Sequence, residues 1–211
     1  MHNQKHTATR WVVTVYGILI GLAGVEHGIF EILQGDIPTG GIMVDAIGDA
    51  YRFWPGAAET VLTIVPNFLW TGILAVIFGI LVVIWSWYFV QRKYGATVLF
   101  LLAITLWLVG GGFAPIFLTL LAAGAATRIE KPLNWWREHL PGRTGLARLW
   151  PSILIFFVII FWSAVGIQIF GLPISVDLVY GIMVILSILM VVLMPIVVIV
   201  GLAYDTLQQS N

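Results

Sequence analysis

Five long apolar runs fill most of this chain: Trp11 to about Leu33, Pro66–Val90, about Thr97–Thr127, Pro151–Gly171 and Ile174 to about Ala203. Each is limited by charge, proline or glycine, and each reaches the roughly 20 apolar residues that a helix needs to cross a bilayer. Only 9% of the 211 residues are charged, against about 25% in an ordinary soluble domain. That deficit excludes a water-soluble globular protein and a disordered chain. Ten Lys and Arg balance ten Asp and Glu, so no basic excess exists to hold a nucleic acid. The absence of cysteine excludes disulfides, thiolate metal sites and cysteine nucleophiles.

The polar stretches left over, 34–65 and 128–150, are too short to be domains of their own. The expected fold is therefore one all-α, polytopic membrane domain over residues 1–211, without repeats or low-complexity tracts. Lys5 and Arg10 precede the first run, and Gly21-Leu22-Ala23 has the small-residue spacing of a leader-peptide cleavage site. The run continues past that point to about residue 33, so it reads as a retained first span.

The third run decides the topology. As one helix at 1.5 Å per residue it would be about 46 Å long, against a hydrocarbon core of about 30 Å. Its middle is Gly110-Gly111-Gly112-Phe113-Ala114-Pro115, and glycine and proline are poor interior helix residues. If the five runs each cross once, Lys and Arg divide six against four and orient nothing. If the third run turns back at Gly110, Gly111, Gly112 and Pro115, one side holds Lys5, Arg10, Arg92, Lys93, Arg128, Lys131, Arg137, Arg143 and Arg148, and the other only Arg52. Such asymmetry is what the positive-inside rule requires. Trp11, Trp85, Trp87, Tyr88, Trp135, Trp136, Trp150 and Tyr204 fall at the same interface, where aromatic rings gather. The favoured arrangement is four full transmembrane helices plus a helical hairpin, in the plasma or inner membrane, with both termini cytoplasmic. Five single spans are the alternative. The hairpin turn is expected to be packed by protein or to lie beside a pathway.

Candidate chemistry is concentrated in the first span. Gly17, Gly21, Gly24 and Gly28 lie within about 60° of one helical stripe, which lets a neighbouring backbone approach closely. Glu26, His27 and Glu31 form an intramembrane polar site. His27 and Glu31 are i and i+4 and within reach of each other, while Glu26 projects from nearly the opposite face. One reading makes them a packing clasp, with Glu26 bonded to Ser163 or Gln168. The other gives them a working role with a proton, cation or substrate, because intramembrane ionisable groups mark function. Asp36, Asp45, Asp49, Glu59 and Asp177 fall on the same outer side as Glu31, with only Arg52 opposing them. They form either a solvated loop or a cation-attracting vestibule.

His27 and Glu31 supply two metal ligands and no HExxH motif is present. His2, His6 and His139 fall at the other face, so no complete metal set emerges. No Walker loop, dinucleotide fingerprint or GxSxG elbow occurs, and no cofactor is indicated. Trp135 and Trp136 within the basic loop 128–150 suit an interfacial segment touching anionic headgroups. Pro195 is expected to kink the last span. Three functions follow in order of preference. The first is a transporter or permeation protein handling a proton, cation or small substrate, expected as a homo-oligomer. The second is a non-catalytic accessory subunit of a larger membrane complex. The third is an intramembrane enzyme acting on a lipid or isoprenoid, with Glu26 or Glu31 and His27 as acid and base.

Overall fold

The computed structural model describes residues 7–209, with all their side chains except those of Thr7 and Ala114. Lys5, His2 and His6 lie outside the described residues. In chain order the helices are α1 (Thr7–Leu33), α2 (Phe68–Tyr88), α3 (Gly95–Leu108), α4 (Ala114–Ala126), α5 (Asn134–His139), α6 (Arg143–Ala147), α7 (Ser152–Phe170) and α8 (Val176–Gln208). The chain is mostly helical, and α1, α2, α7 and α8 are long and apolar enough to cross a membrane.

The third apolar run is two helices, not one. At 14 and 13 residues, α3 and α4 are each about 20 Å long. Pro115 sits in the first turn of α4, where its missing N–H is no loss. Gly110 and Gly112 adopt φ of +98° and +85°, which side-chain-bearing residues rarely tolerate. The ends remote from this break, 90–97 and 126–131, line one shared cleft. The run therefore enters and leaves at the same end of the bundle.

The stretch 34–65 departs from the expected plain loop. It contains an antiparallel hairpin, β1 (Met43–Asp45) with β2 (Thr60–Leu62), in the register Val44 opposite Val61. Strands of three residues are too short to show alternation in a sequence. The chain beyond β2 is stitched onto the break between α3 and α4. Ile64 N donates to Leu108 O at 2.9 Å, Gly110 N donates to Leu62 O at 3.0 Å, and Thr71 Oγ1 donates to Val109 O at 2.8 Å. The irregular backbone of the break thus obtains its partners from protein, as buried peptide groups require.

Helices α1 and α2 pack antiparallel with almost no side chain between them. A Cβ on Gly28 would lie 2.6 Å from Gly72 O, and one on Gly79 would lie 2.6 Å from Gly21 O. One further heptad away, Thr14 Oγ1 donates to Ser86 O at 3.1 Å. Three small-residue pairs spaced by seven keep one seam in contact over about 20 Å. The glycine stripe of α1 therefore serves two neighbours: Gly17, Gly21 and Gly28 face α2, whereas Gly24 faces Leu106 of α3. Around this pair, Tyr16, Ile20, Val82, Leu99, Leu106, Leu118, Phe157 and Val197 form a buried core. Tyr16 Oη donates to Met194 O at 2.7 Å, tying α1 to α8 beside Pro195.

Candidate functional site

The last turns of α1 hold His27 in a fixed orientation. Its Nδ1 is 2.7 Å from Ala23 O, one turn back, so this nitrogen carries a proton and donates it to the carbonyl. Glu26 Oε2 is 3.1 Å from the same nitrogen, and Glu59 Oε2 is 2.7 Å from Nε2 on the other side of the ring. Although Glu26 projects from nearly the opposite face to the glycine stripe, its side chain swings back beside the ring. Neither Ser163 nor Gln168 bonds Glu26: Ser163 is exposed, and Gln168 is engaged elsewhere.

Glu31 is fully buried. Among the described residues it makes no hydrogen bond to His27, and both of its carboxylate oxygens lack a hydrogen-bond partner, as does Glu26 Oε1. Its carboxylate lies against the break between α3 and α4, where a Cβ on Gly110 would overlap it. Two residues on, a Cβ on Gly112 would lie 2.9 Å from His27 Cε1 and Nε2. Glycine is therefore required twice over at 110 and 112, for backbone conformation and for closeness to the polar site. The polar end of α1 and the glycine-rich turn, separate features along the chain, form one locus.

Glu59 reaches this locus from the start of β2. Its carbonyl accepts from Ala46 N at 2.8 Å. Gln168 of α7 donates from Nε2 to Gly56 O and Ala58 O, both at 3.1 Å, while Trp54 Nε1 donates to Gln168 O at 2.9 Å. One glutamine thus fixes the segment that carries Glu59. Burial pushes the Glu59 carboxyl up, but the charge and close contact of His27 pull it further down, leaving it below the ordinary carboxylate range.

The other acids of the expected vestibule are placed differently. Arg52 pairs with Asp45 at 2.9 Å and Asp49 at 2.8 Å. Asp36 accepts from Asn67 Nδ2 at 2.7 Å, and Asp177 lies exposed in the first turn of α8. Of the five, Glu59 alone joins Glu26 and His27. Donor atoms of these three residues lie within 4.8 Å of one another. Sequence spacing gave no sign of this, since 32 positions separate Glu59 from His27 and only the folded hairpin joins them.

At the opposite end, the cleft between the ends of α3 and α4 has a volume of about 580 Å³ and is rimmed by Arg92, Lys93 and Lys131, with Glu130. It continues into an apolar groove of about 350 Å³ between the two helices, floored by Ala96, Phe100, Ala123 and Gly124. Trp135 and Trp136 pack edge to face on the exposed helix α5, and Trp135 stacks on His139.

No family model, no curated protein and no solved structure matches this chain.

Proposed function

We propose that the chain is an integral membrane protein that handles a proton or small cation at an intramembrane Glu/His site. In this reading α1, α2, α7 and α8 span the bilayer, α3 and α4 form a hairpin entering from the cytoplasmic side, and both termini are cytoplasmic. The nine-to-one division of Lys and Arg supports that orientation. The protein-satisfied break at Val109–Gly110 agrees with it, because irregular backbone at membrane depth must be shielded by protein or line a wet cavity.

One observation carries the functional reading: the fully buried, unpartnered carboxylate of Glu31 beside the break. A charged side chain at membrane depth is unfavourable by about 3 kcal/mol on insertion scales. A packing clasp would satisfy these oxygens with donors, and none is provided among the described residues. Groups left to be met by a mobile proton or cation account for the arrangement. Broken helices beside such sites are a recurring transporter device.

The test is flux in proteoliposomes under an imposed proton or cation gradient. Glu31→Gln is expected to abolish flux while leaving the melting profile and oligomeric state of the purified protein intact. Flux unchanged in this variant would refute the assignment. An anionic phospholipid is the proposed partner at the cytoplasmic end, its headgroup between Arg92, Lys93 and Lys131 and an acyl chain in the groove between α3 and α4. Basic residues near such a surface contribute about 1 kcal/mol each.

A further inference from the structure

Resting on the cation-handling reading and narrowing it, we propose that His27, Glu59 and Glu26 bind a divalent first-row transition cation, with Glu31 as the buried carboxylate behind them. The imidazole is arranged as a ligand. Its Nδ1 is committed to Ala23 O at 2.7 Å, the backbone contact that fixes tautomer and ring orientation in histidine-ligated metals. Nε2, 2.7 Å from Glu59 Oε2, is the ring atom free to ligate, its proton giving way to the metal. Although so close, that oxygen meets no donor with hydrogen-bond geometry among the described residues. The pair is held by charge rather than by an aligned hydrogen bond, and a cation beside Nε2 and Oε2 would take the proton's place.

The distances suit a metal ion. Bonds of about 2.1 Å to nitrogen and oxygen place opposite ligands about 4.2 Å apart. The donor atoms of Glu26, His27 and Glu59 already lie within 4.8 Å of one another, and a swing of the Glu26 carboxylate from Nδ1 towards Nε2 closes the site. One imidazole with carboxylates and no thiolate favours ions such as Mn²⁺, Fe²⁺ or Zn²⁺ over soft copper(I). Glu31 is the independent sign of a missing positive charge: it is wholly buried, both its oxygens are unpartnered, and it lies against the same break that touches His27. Glu26 and Glu59 each keep about a fifth of their side-chain surface exposed, which leaves the ion a way in from the β-hairpin side.

The experiment is Mn²⁺ titration of the purified, tag-free full chain in detergent, read by loss of the free-ion electron paramagnetic resonance signal. Zn²⁺ retained after dialysis gives a second measure. His2→Gln and His6→Gln are present throughout, to remove tail histidines as ligands. One saturable equivalent is expected. Glu59→Gln and His27→Gln should each weaken it at least tenfold, and Asp36→Asn and Asp177→Asn should leave it unchanged. Glu59 lies on the β-hairpin, so Glu59→Gln keeps the test valid if His27→Gln fails to fold. A nitrogen modulation from imidazole in the bound Mn²⁺ spectrum, absent in His27→Gln, would identify the ligand directly. Absence of saturable binding, or binding indifferent to Glu59→Gln, overturns the proposal. Metal bound in this way without any ion flux would leave the site standing and refute the transport reading. Proton flux without metal binding would do the reverse.

Discussion

Asp205, near the end of α8, caps the beginning of α1: its two carboxylate oxygens accept the amides of Ala8 at 3.0 Å and Thr9 at 2.8 Å. The first amides of a helix have no partner within it, and a carboxylate also complements the positive end of the helix dipole. All three residues are buried, so water cannot take over. Asp205→Ala is expected to destabilise the protein by about 1–3 kcal/mol, and Asp205→Asn by less. Thermal unfolding in detergent measures the loss, and faster hydrogen exchange at residues 8–12 locates it.

The seam between α1 and α2 makes a sharper prediction. Gly28→Ala brings a methyl group against the Gly72 carbonyl oxygen, and Gly21→Ala does the same against Gly79. Backbone cannot rotate aside, so each should destabilise by about 1–3 kcal/mol, as overpacking does. Gly124→Ala, with nothing within 4 Å of the new methyl group, should stabilise α4 by about 0.5–1 kcal/mol. Equal melting temperatures for all three variants would contradict the seam.

Gly112 and Gly142 separate conformation from contact. Both have positive φ, so alanine at either is disfavoured by about 1–2 kcal/mol. A methyl group on Gly142 meets open space, whereas one on Gly112 meets the His27 imidazole. The ¹⁵N resonances of the His27 ring should therefore shift in Gly112→Ala and stay in place in Gly142→Ala.

Much of the architecture was legible in the sequence because charge and length are one-dimensional quantities. The break at Gly110–Pro115, its hairpin and the glycine stripe of α1 all follow from composition along the chain. What the stripe packs against did not follow. Gly72, Gly79 and Ser86 recur every seven residues inside an almost uniformly apolar helix, where small residues stand out less than in α1. A wheel places the Cβ of Glu26 away from the glycine stripe, but it ignores three rotatable side-chain bonds and so cannot show the carboxylate reaching the His27 ring. Arg52 is the lone offset to a set of acids, and only the folded hairpin turn shows which of them, Asp45 and Asp49, it pairs with. The partnership of Glu59 with His27 depends on the hairpin, a contact between distant segments that no local periodicity encodes.

The lipid proposal divides into head and tail. Neutralising Arg92, Lys93 and Lys131 together to Gln should remove a co-purifying anionic phospholipid seen by native mass spectrometry, and binding to the unmodified protein should weaken with salt. Gly124→Leu fills the groove and should displace the same lipid without any change in charge. Retention in both variants would dismiss the cleft as a lipid site.

Three pairs keyed at Thr14–Ser86, Gly21–Gly79 and Gly28–Gly72 leave α1 and α2 no coordinate along which to slide. Moving either helix lengthwise by one residue would drive valine methyl groups into a facing main chain. The pair is a stator. Any working cycle at His27 therefore has to be carried by the parts that are pinned by a few hydrogen bonds: the hairpin segment held by Gln168, and the α3–α4 elbow sewn to β2.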